Sequence, residues 1–126
     1  MINTLEDLGY YANLDNLNLD WRRISTYKTL SESFMEKHKD RIHWSWISIH
    51  QILSEPFIEK HEDKVIWRWI SRYQLLSEPF IEKHKDKVRW DYIGMYQKLS
   101  ISFIKKHWHR LRDFVDDNNI HFRIQL

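Results

Sequence analysis

Leu53-Ser-Glu-Pro-Phe-Ile-Glu-Lys-His-Glu-Asp-Lys-Val65, continued by Ile66, Trp67 and the run to Leu75, is the stretch that decides the fold. The next stretch, Leu76 to Lys98, matches it at 16 of 23 positions. A looser copy starts at Leu30 and a decayed one at Leu99. Phe34, Phe57, Phe80 and Phe103 stand 23 residues apart, and so do Trp21, Trp44, Trp67 and Trp90. A fixed period of this size marks an array of stacked supersecondary units.

One period reads as two short helices. Ser54 is a good N-cap, Glu55 suits the first turn, and Pro56 costs little where the amide has no helical partner. Leu53 and Ile58 hold hydrophobic-staple positions. The spacing predicts helix A from Glu55 to about Val65, with Phe57, His61 and Val65 on one face. Helix B is expected from Trp67 to about Gln74, turning Trp67, Ile70, Ser71 and Gln74 inward. One unbroken rod is excluded. At about 100° per residue, a period of 23 turns a side chain roughly 140° past whole turns, so the Phe and Trp columns would spiral around it.

Composition agrees with a packed helical domain. The chain has 126 residues, 42% hydrophobic and 30% charged, with seven Trp, six Tyr and six Phe. That length buries roughly two-thirds of the surface of the unfolded chain. Two Gly and two Pro are too few for a sandwich or barrel of short strands. With no Cys there is no disulfide framework or thiolate metal site, which fits a reducing compartment. No apolar run reaches the length of a membrane span, and Met1–Asn16 lacks the pattern of a secretion signal. The expectation is a cytoplasmic protein without a membrane partner.

The fold expected is all-α: a small α-solenoid of stacked two-helix repeats of period 23 with irregular capping termini. It forms one repeat domain over 1–126. Residues 1–20 are the N-terminal cap and 21–29 a half repeat; 30–52, 53–75 and 76–98 are full repeats. Residues 99–126 form a degenerate repeat and the C-terminal cap. The N-cap Asp20 precedes the half repeat, and a degenerate first helix is expected around Leu5 and Leu8. Helix A of the last repeat is expected to continue from Ile101 to about Val115, with Asp113 in place of the ladder Trp. Asp116–Asn119 reads as a turn. Ile120, Phe122, Ile124 and Leu126 alternate with polar residues, which suits an extended segment, either a lid over the last apolar face or a strand offered to a partner.

The wording from Trp44 to Trp67 resembles short helical repeats common in large DNA viruses and some phages. That pattern is Trp-x-x-Ile-Ser-x-x-Gln-x-Leu-Ser-Glu-x-Phe-Ile-Glu-x-His-x-Asp-Lys-Val-x-Trp, and the resemblance covers roughly Trp21 to Leu111. It implies an all-helical solenoid of viral origin, with a host protein as partner and the host cytosol as location. It brings no assigned activity. The chain departs from the pattern at Gly94, Ile101, Ser102 and Asp113.

Catalytic residues are not expected. His38, His61, His84 and His107 hold one position in each repeat, and repeats stacked about 10 Å apart cannot share one ion at the roughly 2 Å a ligand needs. They are expected to pack beside Phe and to donate a hydrogen bond within the hairpin. Glu59/Asp63 recurs as Glu36/Asp40 and Glu82/Asp86, beside Lys60/Lys64 and its copies. That is the pattern of interlocking charge rows, not of acid–base chemistry. There is no phosphate-binding Gly loop, nucleophile elbow or His-Glu-x-x-His. No cofactor is implied.

Positions that vary between copies are free for recognition. On helix B these are Arg22, Thr26 and Thr29; Ser45, Ile49 and Ile52; Arg68, Arg72 and Leu75; and Asp91, Met95 and Lys98. Their i, i+4, i+7 spacing makes one stripe in each copy, apolar and Arg-bearing, with the composition of a protein-binding surface. The competing explanation is a second layer of core. Binding of a host protein by steric occlusion is the leading function, with a monomer or weak homo-oligomer as the working state. The alternative is RNA or DNA binding at the basic end through Lys105, Lys106, Trp108, Arg110 and Arg112. In that alternative Trp44, Trp67 and Trp90 are unavailable for stacking because they face the core.

Overall fold

The computed structural model of the chain describes residues 1–8 and 20–115. The expected turn at 116–119 and the alternating segment 120–126 lie outside the described residues, as does most of the N-terminal cap. By its contacts the chain divides into two units, Met1–Val65 and Ile66–Leu126. Each is built from the same hairpins, so the protein is an α-solenoid of two-helix repeats.

In Met1–Val65 the helices are α1 (Trp21–Tyr27), α2 (Glu32–Lys37), α3 (Trp44–His50) and α4 (Glu55–Lys60). In Ile66–Leu126 they are α5 (Trp67–Tyr73), α6 (Glu78–Lys83), α7 (Trp90–Tyr96), α8 (Ile101–Lys106) and α9 (Trp108–Leu111). The odd-numbered helices α1, α3, α5 and α7 are the B type. Within the first unit α1 packs on α3; within the second, α5 packs on α7 and α7 on α9. Among the described residues there is no strand, and only an isolated parallel bridge joins Ile2 to Leu30. The degenerate first helix is a single 3₁₀ turn, Glu6–Leu8.

No helix of six or seven residues is stable alone in water. These are held by caps and by burial. The hydroxyls of Ser31, Ser54, Ser77 and Ser100 accept the N–H groups of Phe34, Phe57, Phe80 and Phe103 at 3.1–3.3 Å. Ile47, Ile58, Ile70, Ile81 and Ile93 are fully buried, as are Phe34 and Met35.

Helix A is shorter than its apolar spacing predicts. It stops at Lys60, and His61 takes φ −109°, ψ 34° as its C-cap. The apolar face survives because one more i→i+4 bond follows, from Val65 N–H to His61 C=O at 3.0 Å. In the last repeat the expected helix from Ile101 to Val115 is likewise broken at His107 into α8 and α9.

The ladder tryptophans also differ from expectation. Trp21, Trp44, Trp67 and Trp90 are half-buried on the flank of the hairpin, not in its interior. Each lies over the Phe–His pair of the helix A that follows it. Trp44 is 6.0 Å from Phe57 and 5.0 Å from His61; Trp90 is 6.2 Å from Phe103 and 4.8 Å from His107. An indole N–H needs an acceptor, and on the flank it finds one: Lys39 C=O for Trp44 at 2.9 Å and Lys85 C=O for Trp90 at 3.0 Å.

Consecutive repeats are joined by side chains that cap their neighbours. Gln97 Nε2 donates to Ser71 C=O at 2.9 Å and Gln74 C=O at 2.7 Å, while its Oε1 accepts Leu76 N–H at 3.1 Å. Two of these are carbonyls at the end of α5 that have no helical donor. In the first unit Gln51 does the same for Ser25, Lys28 and Leu30. A second clasp runs from Glu78 to the N-cap Ser100, taking its N–H at 2.6 Å and its hydroxyl at 2.8 Å, as Glu32 does for Ser54. The Gln clasp is buried and the Glu–Ser clasp lies at the surface, yet both recur because each satisfies backbone groups of a neighbouring repeat.

Candidate interaction surface

Placing the variable positions is a matter of helix phase. Each B helix buries its fourth and fifth residues, and α3, α5 and α7 also bury their C-cap Gln, so the second, third, sixth and seventh look outward. The stripe therefore lies outside, not in a second layer. In the first unit Arg22 and Ile52 are exposed, with Ile52 at 92%, while Ser45, Ile49 and Thr26 are half-buried. In the second, Arg68, Leu75 (82%), Met95 (47%) and Lys98 are exposed, and Arg72 and Asp91 are half-buried.

Beside this stripe runs an aromatic one. Trp69 and Tyr73 on α5 and Tyr92 and Tyr96 on α7 share the outward side of the second unit. Trp69 stacks on Tyr92 with centroids 6.5 Å apart and 17° between planes. Trp69 also meets Tyr73 at 6.1 Å, and Tyr92 meets Tyr96 at 5.8 Å. Arginines cover these rings: Arg68 lies 5.3 Å over Trp69 and Arg72 lies 4.6 Å over Tyr96. Arg89 grips Asp91 in a two-point ion pair at 2.8 and 3.2 Å. Against the cost of burial, that pair and the Tyr92 N–H hold the Asp91 carboxyl below its usual range. On the first unit Arg22 lies 4.7 Å over Trp46, which stacks on His50 at 5.4 Å. There a groove of about 340 Å³ is lined by Asp20, Arg22, Arg23, Thr26, Tyr27 and Trp46.

Trp46, Trp69, Tyr73, Tyr92 and Tyr96 are missed by a search for positions that vary, because their columns hold a ring in most copies, with Arg23 the exception. The signal that finds them is phase. They sit one residue beyond the variable positions, on the side away from the buried Ile.

In the histidine column, His61 and His107 are each held at the ring and at Nε2. His61 and His107 pack against Phe57 and Phe103 at 4.7 and 4.6 Å, as expected. Their hydrogen bonds, however, leave the hairpin. His61 Nε2 donates to Glu36 Oε2, and His107 Nε2 donates to Glu82 Oε2 at 2.5 Å, each in the preceding repeat. A carboxylate only accepts, so Nε2 carries the proton. Lys60 adds to Glu36 at 3.1 Å, Lys64 to Asp40 at 3.4 Å and Lys106 to Glu82 at 3.0 Å. The charge rows thus interlock between repeats. Among the described residues, no three His, Asp or Glu side chains gather in a way that holds a metal ion.

The basic end is dispersed. Lys106 is paired with Glu82, Arg112 with Asp113 at 3.9 Å, and Arg110 lies 5.0 Å over Trp90 with Nη1 donating to Lys85 C=O at 3.4 Å. Lys105 and the 47%-exposed Trp108 line an open apolar groove with Ile101 and Ile104. The indole of Trp90 lies between its His–Phe pair and Arg110, so it offers no face to a base. No helix among the described residues is long and apolar enough to cross a membrane.

Comparison with family models, with curated proteins and with solved structures finds no significant match to this chain.

Proposed function

We propose that this chain is a non-enzymatic interaction protein whose outward B-helix faces bind another protein. One observation carries the reading. The polar residues that recur inside the repeats are spent on joining neighbours, whereas the outward faces concentrate Arg, Trp and Tyr beside exposed Leu75 and Met95. Those three residue types dominate the energetics of protein interfaces. Within each unit, packed hairpins present such a face with little ordering cost, and it acts by bridging a partner or occluding it. With the viral resemblance of its repeats, the role that fits is an adaptor for, or inhibitor of, a host protein in the host cytosol. The working form is a monomer or weak homo-oligomer.

The test treats the two units separately. Ile49→Glu alters the first, and Arg68→Glu with Arg72→Glu alters the second. The full chain and each variant are used to capture proteins from expressing cells, with circular dichroism as the control for folding. The expected result is a specific protein held by the wild type and lost from one folded variant, and inhibited by the wild type in its own assay. Equal capture by all three overturns the reading. Nucleic-acid binding by the basic end is the alternative. It predicts affinity that falls steeply with salt and is weakened by changing Lys105, Lys106 and Arg110.

A further inference from the structure

Arg72 lies across three tyrosines, its Cζ 5.0 Å from Tyr73, 5.8 Å from Tyr92 and 4.6 Å from Tyr96. A guanidinium laid on a ring satisfies its flat face and keeps its N–H groups directed outward in its own plane. Arg68 is held in the same manner on Trp69. Among the described residues no carboxylate forms an ion pair with Arg68, Arg72 or Lys98, and the nearby Asp91 is already gripped by Arg89. The face therefore has uncompensated positive charge held against its rings, next to exposed Leu75 and Met95.

Which anion fits is decided by the rings. Tyr92 has Trp69 against it, with Arg72 and Arg89 over it at 5.8 and 5.5 Å. A single-stranded nucleic acid gains affinity by stacking bases on open ring faces, and here Trp69, Arg72 and Arg89 already crowd Tyr92. A peptide carboxylate needs only the N–H edges, and its apolar neighbours cover Leu75 and Met95. We infer that the face of α5 and α7 binds a protein segment in which Asp or Glu stands beside apolar residues, the carboxylates seated on Arg68 and Arg72. This rests on the reading that the outward faces bind protein.

The experiment is a random-sequence peptide array probed with the labelled full chain, alongside the folded variants Arg72→Gln, Arg72→Lys and Arg68→Gln. The expected winners combine Asp or Glu with Leu, Ile or Phe. Replacing their acidic residues by Gln weakens binding at least about tenfold, and so does Arg72→Gln. Arg72→Lys restores only part of it, because an ammonium keeps the charge but not the stacked fork. Winners without acidic residues, or undiminished by Arg72→Gln, overturn the inference. So does a fluorescent oligothymidine that binds more tightly than any peptide and depends on Arg68 and Arg72. If a cellular partner is lost on Arg68→Glu with Arg72→Glu while the array selects uncharged peptides, the face stands and its acidic partner falls.

Discussion

Glu36 in α2 accepts a hydrogen bond from Nε2 of His61, which lies at the end of α4 in the next repeat. The ammonium of Lys60 and then the His61 ring hold the Glu36 carboxyl down from its ordinary 4.5 to about 2. A carboxyl whose folded pKa is depressed stabilises the fold at pH above its unfolded value, and that contribution disappears as pH falls through the folded one. Stability should therefore decline between about pH 4.5 and about pH 2. Glu36→Gln should lower the midpoint of urea unfolding at pH 7 and flatten its acid dependence in that window. A mutant and wild type with parallel acid profiles would show that the bond contributes nothing.

Gln97→Ala removes the donor for two carbonyls and the acceptor for one N–H at the end of α5. Since each unsatisfied buried group costs on the order of 1–3 kcal/mol, with partial relief by water, the expected loss is about 2–4 kcal/mol. Chemical denaturation measures it. Gln97→Glu separates bonding from volume: it keeps the acceptor for Leu76 N–H but faces two carbonyls, and should do no better than Ala.

Gly94 stands where the other repeats carry Ser25, Ser48 and Ser71. A Cβ added there would meet Phe114 Cβ at 2.7 Å and Leu111 Cδ2 at 3.3 Å. Ala is better than Gly in a helix by about 1 kcal/mol, but overpacking costs about 1–3 kcal/mol and should win. Gly94→Ala is thus expected to lower the Tm, and Gly94→Ser to lower it further.

Leu75 is 82% exposed, so Leu75→Ser should change stability by no more than about 0.5 kcal/mol. Partner affinity should nevertheless drop. A variant that folds as well as wild type and binds as tightly would remove Leu75 from the surface.

The B helices and the Ser N-caps are legible in the sequence because their signals are local. The spacing predicts helix B from Trp67 to about Gln74, and it runs Trp67–Tyr73 with Gln74 as its cap. Helix A is harder to read. Phe57, His61 and Val65 keep helical spacing although the helix ends at Lys60, since a single turn carries the spacing onward. What the column of His bonds to depends on the neighbouring repeat, so spacing within one repeat cannot supply Glu36 or Glu82. The outward placement of the variable stripe is legible through its helical phase. The adjoining aromatic stripe is hidden, because a ring that recurs from one period to the next looks the same whether it faces the core or the solvent.

Each Gln clasp reaches back to the repeat before its own, and Gln51 repeats on Ser25, Lys28 and Leu30 what Gln97 does for Ser71, Gln74 and Leu76. A gene that duplicates or deletes one whole period in register hands each of these two clasps an equivalent partner. The chain can thus lengthen or shorten by unequal recombination without a gap in its polar joints, provided the event falls upstream of Gly94. Ser71 Oγ also accepts Arg89 N–H of the next repeat at 2.9 Å, and at Gly94 that hydroxyl is absent and Phe114 packs there.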